Sequence, residues 1–210
     1  MMSSTHTLVI DSQPIMREAL SQLLYETLPN VQVLQAPSAT FAIQLIRNHD
    51  INLVVLDVDL EGSDGFEFVR RARAFGYKGR ILFVSSSKHP MYSETAKSLG
   101  ANGYVSKLEN TLVLKEAVLS VLKGHAVFKN SDNLKKRNTT LSKRETVVFN
   151  YLIKGYSNKK ISELLSLSSK TISTYKARIL DKYKVDSIVE LMRIQQHIYV
   201  DLSETRKDAA

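Results

Sequence analysis

Residues 53–57 read LVVLD, and residues 81–86 read ILFVSS. Both runs are apolar without polar alternation, which is typical of strands buried on both faces of a parallel sheet. Three further runs, at 8–11, 31–35 and 103–106, complete a set of five, and amphipathic segments that predict helices lie between them. Five β–α units in succession predict a doubly wound α/β domain with a five-stranded parallel sheet over residues 5–124.

The rest of the sequence predicts a linker followed by an all-α domain. Residues 125–140, HAVFKNSDNLKKRNTT, lose the apolar period and fill with polar residues, so we interpret them as an exposed linker. Residues 141–200 predict four helices that begin at Ser142, Ser157, Ser168 and Ser187. The middle two, over about Asn158 to Ala177, have the spacing of a helix-turn-helix, whose second helix fits the major groove of DNA.

Charge is distributed unevenly along the chain. Its 210 residues include 29 Lys+Arg and 21 Asp+Glu, a net charge of +8. Residues 1–124 hold 12 of each sign, whereas residues 125–210 hold 17 basic against 9 acidic, and 17 − 9 = +8. The second part is therefore expected to meet a polyanion.

Composition excludes several classes of protein. The absence of cysteine excludes disulfides, thiolate catalysis and cysteine-ligated zinc. No apolar run approaches the roughly 18 residues of a membrane span, and the N-terminus lacks the features of a secretory signal. We therefore expect a cytoplasmic protein without a membrane partner.

Polar residues follow the predicted strands where each one ends. Asp11 and Ser12 follow the first strand, and Asp57 and Asp59 the third; Ser85 and Lys107 stand at the ends of the fourth and fifth. The carboxyl ends of parallel strands meet at one edge of a sheet, so these side chains are expected to converge. Carboxylates that converge repel one another unless a cation joins them, and oxygen ligands suit Mg²⁺. An opposing lysine and hydroxyl could hold the oxygens of a phosphoryl group carried on an aspartate.

These motifs are similar to those of a known family. LVVLD at 53–57, Asp64-Gly65, ILFVSS at 81–86 and GANGYVSK at 100–107 resemble the receiver domain of two-component response regulators, which has a flavodoxin-like, CheY-like fold. The resemblance implies that Asp57 accepts phosphate from a sensor histidine kinase, and that Mg²⁺ is held by Asp11, Asp57 and the backbone carbonyl of Asp59. It also implies that Ser85 and Tyr104 are switch residues and that Lys107 binds the phosphate.

The sequence departs from that family at the metal site. Ser12 stands where a second acid is usual, and its hydroxyl is a weaker candidate ligand for Mg²⁺. The Asp59 side chain could restore some of the negative charge if it turns inward. Glu61 and Leu108 also replace frequent prolines.

Two alternatives stay open at this point. One is a receiver that works without phosphate because of Ser12. The other is a phosphotransfer enzyme or phosphatase of the same fold, although it would need a general base beyond the acidic pocket and would leave the basic domain without a role.

The predicted recognition helix has two distinct faces. Ile172, Tyr175, Ile179 and Tyr183 form a stripe expected to pack inward. The opposite face is expected to reach base edges through Lys170, Thr174 and Ala177, flanked by Ser173 and Arg178. Four basic residues are expected to contact phosphates: Lys170, Lys176, Arg178 and Lys182.

The second half also resembles a known family. LSKRE at 141–145, GYSNKKISELLSLSSKTIS at 155–173 and KYKVDSIVEL at 182–191 resemble the LuxR/NarL-type DNA-binding domain, most closely in the BvgA, EvgA and FimZ group of virulence and fimbrial regulators. The resemblance implies promoter DNA as a partner and a homodimer formed through the helix that begins at Ser187. We therefore expect a regulator of transcription that accepts phosphate and is not an enzyme.

Overall fold

The computed structural model of the chain describes residues 5–87, 89–128 and 141–192. It divides into two compact units, Met1–Asn130 and Ser131–Ala210. The first unit contains β1 (Thr5–Ile10), α1 (Pro14–Thr27), β2 (Val31–Ala36), α2 (Ala39–Asn48), β3 (Leu53–Leu56), β4 (Asp59–Leu60), β5 (Ser63–Asp64), α3 (Gly65–Ala74), β6 (Arg80–Ser85), α4 (Pro90–Ser98), β7 (Gly103–Ser106), α5 (Thr111–Leu122) and β8 (Val127–Phe128).

The main sheet of the first unit is parallel, with strand order β2-β1-β3-β6-β7-β8. Its first five strands have the doubly wound order, in which β2 lies on one side of β1 and the later strands are added on the other side, beginning with β3. All four residues of β3 are buried. On one face, α1 and α5 pack their apolar stripes against the central strands, with Leu24 and Val121 against Val9, Val55 and Leu82. The predicted α/β fold is confirmed.

A sixth strand extends the sheet beyond the predicted five. Val127 and Phe128 pair in parallel with Gly103 and Tyr104, although residues 125–140 were expected to form a linker. The missing side chain of Gly103 permits this approach, because a Cβ there would lie 2.9 Å from the Val127 carbonyl oxygen. Two residues are too few to show a strand period in the sequence. The rest of the expected linker, residues 129–140, lies outside the described residues.

A small antiparallel hairpin, β4–β5, follows β3 and was also not predicted. Asp59 pairs with Asp64, and Leu60 pairs with Ser63. Gly62 completes the turn between them with a φ of 73°, in the left-handed region that glycine enters without steric cost. The hairpin begins two residues after Asp57 and ends where α3 starts.

The second unit is helical over its described residues. It contains α6 (Lys143–Leu152), α7 (Asn158–Leu165) and α8 (Ser169–Tyr183), and residues 188–192 begin a further helix. The predicted starts are confirmed, because side chains of four serines accept hydrogen bonds from backbone N–H groups three residues on: Ser142, Ser157, Ser168 and Ser187. The remainder of the expected fourth helix lies outside the described residues. Across the described parts of both units, no helix is long and apolar enough to span a membrane.

Candidate functional site

The carboxyl edge of the main sheet brings Asp11, Asp57 and Lys107 together. Ile10 and Leu56 are paired across β1 and β3, so the residues that follow them lie side by side. Lys107 follows β7, and its backbone N–H donates to the Ser85 carbonyl at 2.9 Å. The Lys107 Nζ lies 2.6 Å from Asp11 Oδ2 and 2.6 Å from Asp57 Oδ2. The three groups carry a formal net charge of −1.

This cluster is buried, which strengthens its electrostatics. The Asp11 side chain is 0% exposed, and those of Asp57 and Lys107 are 7% and 6% exposed. Burial of the Lys107 ammonium favours its neutral form, but its bonds to Asp11 and Asp57 outweigh that effect and raise the pKa of Lys107 above its usual value. Lys107 therefore stays charged and holds the two carboxylates together.

Backbone groups hold the second oxygen of each carboxylate. The Gln13 N–H donates to Asp11 Oδ1 at 2.8 Å, and the Val58 N–H donates to Asp57 Oδ1 at 2.7 Å. Arg17, in the first turn of α1, donates to the Asp11 carbonyl at 2.7 Å. Each carboxylate thus presents one oxygen to the backbone and one to Lys107.

The two uncertain metal-site residues lie in different surroundings. Ser12 is half-buried beside Asp11, whereas Asp59 is exposed on the hairpin. Among the described residues, no three acidic or histidine side chains form a metal-binding group. Because Asp59 is exposed, the condition that its side chain turns inward to restore charge at the metal site is not met in this structure. Two buried carboxylates still fit Mg²⁺, which is commonly bound through one or two carboxylates, waters and phosphate oxygens.

Gly65 is a site residue that sequence reasoning quoted but gave no role. Its N–H donates to the Val58 carbonyl at 2.8 Å. A Cβ at this position would overlap the carbonyl oxygen of Asp57 and lie 3.1 Å from the Phe83 ring. The Asp-Gly dipeptide before a helix was the available signal, but the contact itself depends on how α3 meets the end of β3. Gly65 lets α3 begin directly against the Asp57 loop.

The two expected switch residues lie next to each other near the same edge. Ser85 ends β6 and is fully buried, and Tyr104 on the adjacent strand β7 is 7% exposed. The Tyr104 hydroxyl donates to the Ser87 carbonyl at 2.7 Å, and its ring stacks 6.1 Å from that of Phe83. Burial raises the pKa of Tyr104, while a hydrogen bond with the Ser85 side chain opposes this shift. Tyr104 therefore remains a neutral phenol in contact with the β6–α4 loop.

The recognition helix α8 has the two faces expected from its sequence. Ile172 and Ile179 are fully buried, and Tyr175 and Tyr183 are half-buried on the same stripe. The exposed face consists of Lys170, Ser173, Thr174, Ala177 and Arg178. Lys176 is half-buried, at the margin of the inward stripe.

Lys182, which was expected to contact DNA phosphate, forms an ion pair with Glu145 in this structure. Its Nζ lies 2.7 Å from Glu145 Oε2, which also accepts the Ser142 N–H at 2.7 Å. The Glu145 carboxylate is 6% exposed, so a charge partner for it is required. Hydrogen bonds from Lys182 and from the Ser142 backbone lower the pKa of Glu145 to about 2. The pair joins the start of α6 to the end of α8.

Replacing Glu145 by glutamine is expected to lower the free energy of unfolding by about 1–2 kcal/mol at neutral pH, because the variant loses the charged half of the cap and of the ion pair. Since folding depresses the Glu145 pKa from 4.5 to about 2, its contribution is present above pH 4.5 and lost as pH falls towards 2. Urea titrations followed by circular dichroism at several pH values measure both effects.

Glu163→Gln is the matched control for this variant. Glu163 is exposed, and its ion pair with Lys160 is long, at 3.9 Å. Its loss is expected to leave stability and pH dependence unchanged. Equal losses from both variants would contradict a special role for Glu145.

Each of the two units matches a known protein family. Residues 7–119 match the family described as response regulator receiver domain, and residues 139–195 match the bacterial regulatory proteins of the luxR family. The chain is a LuxR-family response regulator. The predicted resemblance to both families is confirmed, and receiver domains generally use Mg²⁺ for phosphorylation.

This response regulator is similar to several curated proteins, two of which are named as regulators of transcription. It is 37% identical over 202 residues to the fimbriae Z protein of Salmonella typhimurium, covering 91% of this chain and 96% of that protein. It is 32% identical to the virulence-factor transcription regulator BvgA of Bordetella pertussis, covering 88% and 93%. It is 28% identical to the DNA-binding transcriptional activator EvgA of Escherichia coli, covering 91% and 97%. These relatives support the expected regulator rather than an enzyme.

Solved structures show the same fold for this response regulator. RcsB of Salmonella enterica serovar Typhimurium, bound to promoter DNA with the phosphomimetic BeF₃⁻, superposes with a TM-score of 0.81 at 20% identity. The match covers 93% of this chain and 100% of that one. The receiver fold followed by the helical LuxR-type domain is thereby established.

Proposed function

We propose that a sensor histidine kinase phosphorylates this response regulator on Asp57 in the cytoplasm, and that the phosphorylated form binds promoter DNA as a homodimer. The observation that carries the proposal is the buried Asp11–Lys107–Asp57 cluster at 2.6 Å, in a chain that also exposes a basic recognition helix. Both the acceptor chemistry and the DNA-facing surface are thus present in one protein.

The acceptor geometry supports a direct transfer to Asp57. A carboxylate oxygen attacks the phosphorus, an acyl phosphate bond forms, and the bond from phosphorus to the kinase histidine breaks. Asp57 Oδ1 is held by the Val58 N–H, which leaves Oδ2, now on Lys107, as the oxygen that turns to the donor. Lys107 can follow the phosphoryl oxygens because its ammonium already spans both carboxylates. When bound, Mg²⁺ would be held by Asp11, Asp57, the Asp59 carbonyl and the Ser12 hydroxyl, and would neutralise phosphoryl charge.

Treatment with a small phosphodonor tests the acceptor directly. We expect intact-mass analysis to show one added phosphoryl group on the wild type and none on Asp57→Ala. Removal of Mg²⁺ by a chelator should suppress the labelling of the wild type. Labelling that survives in Asp57→Ala would show that another residue is the acceptor.

The homodimer is proposed from the switch residues and from the relatives. Tyr104 lies on β7, which pairs with β6, and the Lys107 N–H donates to the carbonyl of Ser85 at the end of β6. If phosphate draws Ser85 and Lys107 inward, Tyr104 must therefore adjust. A solved neighbour of the same fold is described as RcsB dimers bound to DNA. Sedimentation of the phosphodonor-treated protein is expected to show a larger dimer fraction than the untreated protein, with Asp57→Ala unchanged.

The second candidate is a DNA-binding regulator that works without phosphorylation of its receiver domain. Two observations favour it. Ser12 stands where a second acid is usual, and the Lys107 ammonium already joins both carboxylates at 2.6 Å. Under this alternative, phosphodonor and chelator leave both the mass and the promoter affinity unchanged. The same labelling experiment therefore separates the two candidates.

Binding to DNA is expected to show a salt dependence that depends on Lys170. Lysines on the exposed face release counterions when they meet phosphates, so log affinity falls linearly with log salt. Lys170→Ala is expected to reduce the slope by about one ion, as measured by fluorescence anisotropy with a mixed-sequence duplex.

Lys182→Ala provides the informative comparison. Because Lys182 is bonded to Glu145, its loss is expected to lower stability and to leave the salt slope unchanged. A slope that falls equally in both variants would show that Lys182 leaves Glu145 to contact DNA. No binding by the wild type at low salt would contradict the proposed DNA binding.

A further inference from the structure

The part of α8 that reaches base edges is short and well defined. In a helix-turn-helix the N-terminal half of the second helix contacts the bases. The exposed positions there are 170, 173, 174 and 177, spaced as one helical face. Arg178 follows at its margin, and Asp181, which forms an ion pair with Lys184 at 2.6 Å, ends the face. Readout therefore falls to the residues between Lys170 and Arg178.

The hydroxyl protons on this face are already used within the protein. Ser173 Oγ donates to the Ser169 carbonyl at 3.0 Å and accepts from Asn158 Nδ2 at 3.1 Å. Thr174 Oγ1 donates to the Lys170 carbonyl at 3.0 Å. A hydroxyl has one proton to donate. Neither residue can therefore donate to a base acceptor without breaking a bond in α7 or α8.

Besides hydroxyl oxygens that can still accept hydrogen bonds, this face offers methyl groups at its centre. Thr174 keeps its γ-methyl, and Ala177, one turn further along the helix, carries only a methyl. In the major groove thymine alone presents a methyl group, and threonine and alanine methyls pack against it. Lys170 and Arg178 form no ion pair within the described residues and flank these methyls with positive charge suited to phosphates.

We infer that Thr174 and Ala177 read thymine methyl groups, so that each DNA half-site has thymine at the base pairs facing these two residues. The inference rests on the proposed DNA binding and names the class of sequence that it selects. It assigns specificity to apolar contact rather than to hydrogen bonds from side-chain donors.

Deoxyuridine substitution tests this inference on the DNA side. The full-length protein is used to select duplexes from a random-core library, and the selected duplex is remade with deoxyuridine, which lacks only the methyl of thymidine. We expect affinity to fall roughly fourfold for each contacted methyl, the effect of exposing one buried methyl or methylene group. The same substitution outside the half-sites is the control and should have no effect. Equal affinity for the two duplexes would overturn the inference.

Two substitutions of Thr174 test it on the protein side. Thr174→Ser removes the methyl and keeps the hydroxyl bonded to Lys170, so it should lose the preference for thymidine over deoxyuridine at one position. Thr174→Val keeps methyl groups and removes the hydroxyl, so it should retain that preference. The reverse pattern would assign readout to the hydroxyl and overturn the inference.

The outcomes also separate the inference from the function on which it rests. Binding of duplexes with no response to the thymine methyl overturns the inference alone. Failure to bind any duplex at low salt overturns the proposed DNA binding and the inference together. The deoxyuridine comparison uses only the wild-type protein, so it decides the question even if a Thr174 variant does not fold.

Discussion

Replacing Ser12 by aspartate is expected to tighten Mg²⁺ binding about tenfold and to speed phosphodonor labelling of Asp57. The present cluster of Asp11, Asp57 and Lys107 has a net charge of −1, and an aspartate at position 12 would make it −2. Ser12 is half-buried next to Asp11, so an added carboxylate would act on the metal with limited screening. A tenfold change corresponds to about 1.4 kcal/mol, a fraction of what a nearby unit charge can supply.

Mg²⁺ titration by calorimetry, with labelling rates measured alongside, checks this expectation. Ser12→Asn is the matched control, because it has the size of aspartate without its charge and should behave like the wild type. Asp59→Asn should have little effect, since the Asp59 side chain is exposed. Should Ser12→Asp alter neither affinity nor rate, then Ser12 does not face the metal.

Replacing Gly65 by alanine is expected to slow labelling of Asp57 more than tenfold and to lower the free energy of unfolding by about 1–3 kcal/mol. The added Cβ would overlap the Asp57 carbonyl oxygen, which is backbone and cannot rotate away. Either α3 or the Asp57 loop must then shift, and phosphoryl transfer is sensitive to small displacements of the attacking group. Urea titration and labelling rates measure the two effects.

Gly62→Ala is the control for backbone effects in the same loop. Gly62 has a φ of 73° and nothing within 4 Å of its added Cβ, so alanine there costs about 1 kcal/mol of backbone strain without moving Asp57. Labelling of that variant should match the wild type. Slow labelling by Gly62→Ala, or wild-type labelling by Gly65→Ala, would contradict the role given to Gly65.

The fold and the acceptor cluster were predictable because each depends on rules that act over short distances or on simple topology. Apolar runs such as residues 53–57 show strands buried on both faces, and serines at the predicted helix starts accept the expected bonds. Parallel strands place their ends at one edge, so Asp11, Asp57 and Lys107 meet although Lys107 is 96 positions from Asp11. Family resemblance added the roles of these residues, which spacing alone does not supply.

Other features were decided only by tertiary structure. Lys182 looked like a free cation because its partner, Glu145, lies 37 positions earlier and two helices away. Asp59 is exposed on the hairpin β4–β5, and two-residue strands are too short to show a strand period in the sequence. A helical wheel places the Ser173 hydroxyl towards solvent, but in the structure this hydroxyl accepts a hydrogen bond from the Asn158 side chain of α7.

Strand periodicity and helix caps depend on residues that are close together in the chain. The sequence by itself therefore determined the strands, the helix starts and the edge of the sheet where the acidic cluster forms. Which polar side chain pairs with which depends on how separate elements pack, since burial makes an unpaired charge costly and selects partners across the fold. The tertiary structure alone thus decided that Lys182 pairs with Glu145 and that position 65 must lack a side chain against Asp57.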